Sequence, residues 1–322
     1  MILGIIEHSE GQVSKLSLEM LHFGRGLAAS TGKPLNAVII GADAASLVGQ
    51  IADHGVDTVY TIEDARLTDY APDAWAQAVA GMVGSHSPEA VIACGSEIGN
   101  EVMARIGARL DLPMAANALE VDTGESYSMT RVRWGGSLLE EATLTASTKL
   151  LTVAQHAFEP AETGSGMPKV EAVSADISDA DLVVRVVNRI VPEQDGISLT
   201  DAPIVVSGGR GVGSADGFAP IVELAGMVGG AVGCSRAVTN NGWRPHSDQV
   251  GQTGARVAPN LYIACGISGA SQHISGCAGS KALMVINNDK DAPILAKADY
   301  AVIGDLHEVV PAVIAEIKKR KG

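Results

Sequence analysis

A series of short apolar runs in the second half of the chain, each ending in glycine or small polar residues, narrows the choice of fold more than any other feature. Pro203-Ile204-Val205-Val206 leads into Ser207-Gly208-Gly209-Arg210-Gly211-Val212-Gly213-Ser214, and a helical period through Val222, Leu224, Ala225 and Val228 follows. Leu261-Tyr262-Ile263-Ala264 leads into Cys265-Gly266-Ile267-Ser268-Gly269-Ala270-Ser271-Gln272-His273. Met284-Val285-Ile286 ends in Asn287-Asn288-Asp289, and Tyr300-Ala301-Val302-Ile303-Gly304 in Asp305-Leu306. Continuous apolar runs of this length, separated by helical periods, read as parallel strands buried on both faces. Ligands of open α/β sheets sit at the carboxyl ends of such strands, so these ends deliver polar groups to one edge.

The first glycine loop is ambiguous by itself. Gly209-x-Gly211-x-x-Ser214 lacks the third glycine of the dinucleotide fingerprint, and Ser214 stands where a phosphate loop requires lysine. It reads equally as a pyrophosphate cradle at a helix N-terminus, with Arg210 as counter-charge, or as a tight turn. Between the loops lie Cys234-Ser235-Arg236 and Gln249-Val250-Gly251-Gln252-Thr253-Gly254, polar side chains on glycine-flanked backbone.

The first half repeats the alternation. Ile2–Ile6, Leu35–Ile40, Val56–Ile62 and Ala90–Cys94 read as strands; Leu16, Met20, Phe23 and Leu27 form one helical stripe, and Ile98, Val102, Ile106 and Leu110 another. No phosphate loop follows the first strand, because Glu7-His8-Ser9-Glu10-Gly11 puts two acids where an anion site needs amides, so this half reads as scaffold. Ala118–Val121, Tyr127–Trp134, Leu138–Ser147 and Lys149–Ala154 read as a meander turning at Thr123-Gly124 and Gly135-Gly136. Phe158–Pro168 reads as a surface loop and Val183–Val187 as one more strand. A boundary is expected at Pro192-Glu193-Gln194-Asp195-Gly196, giving an α/β domain over 1–192, a linker over 193–198 and a second α/β domain over 199–322. Length supports the division, since 322 residues with 46% apolar side chains exceed what one core usually carries.

Composition removes several function classes. A net charge of −14 and only 3 Phe, 3 Trp and 5 Tyr argue against gripping phosphodiester backbones or stacking bases. Met1–Ile6 is too short an apolar run for a signal sequence or a membrane span, which suggests a cytoplasmic or mitochondrial-matrix protein. Cys94, Cys234, Cys265 and Cys277 lack metal or disulfide spacing and are expected reduced and buried; His22, His54 and His86 likewise have no partners at ligand spacing, so no metal is expected.

Taken in order, Ser207-Gly208-Gly209-Arg210-Gly211, Gly233-Cys234-Ser235-Arg236, Gln249–Gly254, Gly266–Ala270 with Gln272-His273, and Ala298-Asp299-Tyr300 before Asp305-Leu306 closely resemble the alpha subunit of electron transfer flavoprotein. The resemblance is strong over residues 200–320 and looser in the first half, where Asn117 stands in place of an expected aspartate; Cys234, Asn240, Asn241 and Ser271 depart mildly. It implies an electron carrier without bond-making chemistry, with a Rossmann-like C-terminal FAD-binding domain. The FAD would be held by Arg210, Ser235, Arg236, Val250, Gly251, Gln252, Thr253, Ser268, Gly269, Ala270, Ser271, Gln272, His273, Asn287, Asp305 and Leu306. Of these, loop amides and Ser268 would meet the pyrophosphate, Asn287 and Asp305 the adenosine, and Arg236, Thr253 and His273 would tune the flavin. Implied partners are a beta subunit carrying AMP or a second FAD, flavoprotein dehydrogenases, and electron transfer flavoprotein-quinone oxidoreductase.

Two rival readings make different predictions. An α/β-hydrolase would use Ser268 in Gly266-x-Ser268-x-Ala270, with Asp305 and His307 downstream, although a separation of two residues strains that relay. An adenine-nucleotide-binding regulator would bind nucleotide without flavin.

Overall fold

Strand β1 (Ile2–Ile6) is buried at every position, as a strand covered on both faces must be. It lies in a nine-stranded sheet of a computed structural model that describes residues 1–164, 166–188 and 197–321. The chain divides into two compact units, Met1–Ile190 and Val191–Gly322. Of the expected boundary and linker, residues 192–196 lie outside the described residues.

The remaining strands of this sheet are β2 (Leu35–Ile40), β3 (Thr58–Ile62), β4 (Ala90–Cys94), β5 (Met114–Asp122), β6 (Tyr127–Arg133), β7 (Leu138–Leu144), β8 (Lys149–Val153) and β9 (Lys169–Ala172). Their spatial order is β9-β3-β2-β1-β4-β8-β5-β6-β7, parallel as far as β5 and antiparallel beyond it. Helix α1 (Lys15–Thr31) starts at Ser14, whose hydroxyl accepts from the Leu16 amide, and ends at Gly32 in the left-handed region. Its Met20, Phe23 and Leu27 cover one face of the sheet, with Leu16 half-buried beside them. Helices α2 (Pro72–His86) and α3 (Glu97–Leu110) cover the other face, α3 through Val102 and Ile106.

Two expectations are corrected here. The meander has three strands, because β8 crosses back to lie parallel between β4 and β5. Every residue of β8 is buried, and a strand buried on both faces belongs in the sheet interior, whereas β7 is mostly exposed. Val183–Val187 forms no strand; Val187 is 91% exposed and has no core to cover, and the edge place beside β3 is taken by β9.

The second unit has five parallel strands, β10 (Ile204–Gly208), β11 (Ala231–Cys234), β12 (Leu261–Cys265), β13 (Leu283–Asn287) and β14 (Tyr300–Ile303), in the order β11-β10-β12-β13-β14. Its helices are α4 (Ala219–Val228), α5 (Arg236–Asn240), α6 (Ser271–Cys277) and α7 (Leu306–Lys321). Ile221 and Leu224 of α4 join Val310 and Ile314 of α7 on one face. Val257, Cys277 and Ile294 pack on the other. The basic end of α7 is tied to α4 through Lys318 to Glu223 at 2.6 Å and Lys321 to the Met227 carbonyl at 2.6 Å. All four cysteines are free and buried, as expected, and burial pushes the Cys234 and Cys265 thiols up to about 12. Among the described residues no helix is long and apolar enough to cross a membrane.

Candidate functional site

Both units are α/β, and in the second the strand order reverses between β10 and β12, where open sheets of this order place their ligands. The loops leaving these two strands touch backbone to backbone. Gly209 donates its amide to the Cys265 carbonyl at 2.9 Å and Gly211 donates to Gly266 at 3.1 Å. A Cβ on Gly209 would stand 2.2 Å from the Gly266 oxygen, so glycine is obligatory there. This decides the reading of the first glycine loop: those two amides are already engaged, and α4 begins only at Ala219. The loop is a close-packing turn rather than a phosphate cradle, with Arg210 left exposed on it.

The unengaged amides lie on the second loop. Among the described residues, Ser268, Gly269, Ala270, Ser271 and Gln272 donate their backbone N–H groups to no protein acceptor. Gly269, at φ +86°, admits no side chain, since a Cβ would approach the Ile294 Cβ to 2.4 Å. The Gln249–Gly254 loop is held against α6 by the Gln252 amide donating to the Gln272 carbonyl at 2.7 Å. Gly276 of α6 faces the Gly251 amide so closely that a Cβ would lie 2.2 Å from it.

These loops enclose a cavity of about 550 Å³. Every residue expected to bind cofactor lines it except Ser271, which begins α6 outside the wall. The structure adds Gly211, Ala237, Gln249, Gly266, Ile267, Asn288, Asp289 and Ala292. Gln249 belongs to the Gln249–Gly254 motif, and Asn288 and Asp289 to the polar end of the Met284–Ile286 run, so the motifs themselves carry the signal for these three.

The lining side chains differ in what they have left to offer. Arg210 and Arg236 are exposed and form no ion pair among the described residues. Asn287, buried, donates to the Ile267 carbonyl at 2.9 Å and accepts from the Asp289 amide at 3.0 Å, so much of its capacity holds the two loops in place. Asp305 caps α7 by accepting from the His307 amide at 2.9 Å. Thr253 accepts from the Gln249 side-chain amide at 2.9 Å, and the other end of that amide meets Thr239 at 2.6 Å.

His273 is 6% exposed and its Nε2 is 3.0 Å from the Tyr262 hydroxyl, while its buried Nδ1 has no hydrogen-bond partner among the described residues. Burial pushes its pKa down to about 4, so the ring is neutral at physiological pH. A buried unpartnered nitrogen in the wall, two unpaired guanidiniums and a row of open amides fit an anionic, hydrogen-bonding ligand. The hydrolase geometry is not assembled: the Ser268 hydroxyl has no hydrogen bond among the described residues, and Asp305 engages the backbone of His307. Among the described residues no three His, Cys, Asp or Glu side chains cluster to hold a metal.

A doubly wound sheet with such a cavity at its switch point defines a nucleotide-cofactor-binding α/β protein. Comparison with known families makes the class specific. The electron transfer flavoprotein domain matches residues 2–178, and the electron transfer flavoprotein FAD-binding domain matches 198–278. The chain is 37% identical to electron transfer flavoprotein subunit alpha of Thermoanaerobacterium thermosaccharolyticum, over 98% of this chain and 97% of that one. It is 34% identical to the Bacillus subtilis subunit alpha, covering 97% and 96%, and 37% identical to that of Mycobacterium leprae, covering 99% and 98%. The chain therefore belongs to the electron transfer flavoprotein alpha-subunit family, and its cofactor is FAD.

Proposed function

We propose that this chain is the FAD-carrying subunit of a heterodimer, paired with a beta subunit that holds AMP or a second FAD. It accepts electrons from flavoprotein dehydrogenases and hands them to a quinone-linked acceptor such as electron transfer flavoprotein-quinone oxidoreductase, in the cytoplasm or, in a eukaryote, the mitochondrial matrix. The observation that carries this reading is the switch-point cavity with its unpaired polar groups. The Ser268–Gln272 amides and the Ser268 hydroxyl suit the pyrophosphate, and Arg210 adds a fixed charge. Asp305, with Leu306 beside it, and the remaining amide hydrogen of Asn287 suit the adenosine. The Val250–Thr253 loop, Ser235, Arg236 and His273 are left for the isoalloxazine. The chemistry FAD supplies when bound is uptake and release of electrons; the protein binds, orients and electrostatically biases it, and makes no bonds of its own.

Co-expression with the candidate beta subunit tests the proposal. The purified complex is expected to show a flavin absorption spectrum, to release FAD on denaturation, and to bleach when a flavoprotein dehydrogenase and its substrate are added. The chain expressed alone is expected to be poorly flavinylated or aggregation-prone. A monomer that keeps stoichiometric FAD and passes electrons unaided would contradict the heterodimer.

A further inference from the structure

Gln249 stands out among the cavity residues because it is 2% exposed and its side chain is gripped at both ends. Its backbone has no freedom: the Ala255 amide donates to its carbonyl at 2.7 Å, and a Cβ on Gly254 would lie 2.2 Å from that same oxygen. One end of its amide lies 2.6 Å from the Thr239 hydroxyl and the other 2.9 Å from the Thr253 hydroxyl. Thr239 also lies 3.0 Å from the Arg236 carbonyl. Thr253 and Gln249 line the cavity, whereas Thr239 does not.

Proton counting gives this trio two complete hydrogen-bond patterns. In the first, Thr239 donates to the Gln249 oxygen and the Gln249 NH₂ donates to Thr253. The Thr253 hydrogen then has no acceptor among the described residues and is free to donate into the cavity. In the second, the amide is turned by half a rotation. Thr239 donates to the Arg236 carbonyl and accepts from the NH₂, Thr253 donates to the amide oxygen, and only Thr253 lone pairs face the cavity. Both patterns use the same heavy-atom positions, because amide oxygen and nitrogen are nearly isosteric and a hydroxyl serves as donor or acceptor.

We propose that Gln249 is a positioning residue: its amide, backed by Thr239, sets whether Thr253 donates to or accepts from the group bound in front of it. The inference rests on the reading that Thr253 faces the isoalloxazine. The N5 edge of that ring is a hydrogen-bond acceptor when oxidised and carries an N–H when fully reduced and protonated. A hydroxyl that reverses polarity without moving matches both states, whereas a fixed donor favours only one. The relay therefore contributes to the balance between oxidised and reduced FAD.

The test is a double-mutant cycle on the co-expressed FAD complex, reading the two-electron potential by spectroelectrochemistry. Thr239→Val keeps shape and lies outside the cavity, its hydroxyl touching lining residues only at the Gln249 amide and the Arg236 carbonyl, and the cycle with Gln249 isolates the first of these; Gln249→Met removes the amide at similar volume. Each is expected to change the ratio of oxidised to reduced FAD affinity about fivefold, which is about 20 mV in a two-electron couple. The Thr239→Val effect is expected to vanish in the Gln249→Met background. An unchanged potential in Thr239→Val with FAD fully bound, or additive shifts in the double variant, overturns the relay. Thr253→Val separates the levels of the argument. If it moves the potential while Thr239→Val does not, the relay alone fails; if no variant moves it, the placement of Thr253 against the ring fails and the relay with it.

Discussion

Burial of His273 fixes a measurable pH dependence. Its imidazole is held near a pKa of about 4 by desolvation, against 6.5 when exposed, so the folded unit binds this proton less readily than the unfolded chain. A depressed pKa contributes stability that is intact above 6.5 and is lost as pH falls towards 4. Integrating between those values gives a loss of about 3 kcal/mol by pH 4 and about 2 kcal/mol at pH 5 relative to pH 8. His273→Gln retains a hydrogen-bonding group for Tyr262 and lacks the titration, so the variant should lose about 2 kcal/mol less than the parent over that interval. Hydrogen exchange of the β10 and β12 peptides, corrected for intrinsic rates, reads the opening free energy of this unit in the co-expressed complex. Imidazole NMR reads the titration directly. Equal pH dependence in the two proteins, or an imidazole midpoint above pH 6, would refute the desolvation argument. The corollary is that His273 presents the cavity with a neutral ring, leaving Arg236 and Arg210 as the cations among its lining residues.

Arg236→Ala should leave folding intact, because the side chain has no ionic partner among the described residues, yet lower the flavin potential by about 60 mV if a one-electron couple loses ~1.4 kcal/mol; unchanged potentials with FAD bound would remove Arg236 from that role. Asp305→Ala should lower the melting temperature through loss of the α7 cap, about 1 kcal/mol, whereas Asp305→Asn keeps the cap. Equilibrium dialysis should then show weaker FAD binding in both, and normal affinity in Asp305→Asn would mean that the carboxylate serves only the helix. Gly209→Ala must displace the backbone at Gly266 and should cost at least the roughly 1–3 kcal/mol of ordinary overpacking, while Gly226→Ala, with open space at its Cβ inside α4, should stabilise by up to about 1 kcal/mol. Thermal melts of the pair check the contrast, and equal effects would contradict it.

What could be read in advance follows from how local each signal is. The runs that became β10, β12 and β13 carry their burial in their own composition, and the polar residues at their ends are positioned by strand termini, so cavity and motif agreed. β8 has the same composition, but its insertion between β4 and β5 is a topological choice that no local period encodes. Lys169-Val170-Glu171-Ala172 could not be recognised as β9, since an exposed edge strand is specified by the neighbour that pairs with it. The Ser207–Ser214 loop was undecided for a similar reason. Whether its amides were free depended on carbonyls at Cys265 and Gly266, more than fifty residues away in the chain. Gln249 was placed in a motif but not in a role, because its role depends on Thr239, outside the motif.

The two units also show how one geometry serves two purposes. In the first, the sheet order reverses between β1 and β4, as it does between β10 and β12 in the second, so each sheet has a switch point. Glu7 follows β1, and its carboxylate, 6% exposed, accepts from the Cys94 thiol at 2.8 Å and from the Ser96 hydroxyl at 2.6 Å. Ser96 in turn caps α3 by accepting from the Gly99 amide at 2.8 Å. A Cβ at Gly99 would lie 2.7 Å from the Glu7 oxygen, so the backbone there is fitted to that carboxylate. The position where a helix N-terminus could meet a ligand's anion is thus filled by the chain's own carboxyl group, whose pKa is raised by burial despite these hydrogen bonds. At the β10–β12 switch point, among the described residues, no carboxylate accepts from the Ser268–Gln272 amides, which stay open. Glu7 after the first strand and the small polar residues after the later ones therefore carry opposite instructions: one closes a switch point from within, and the other leaves it open.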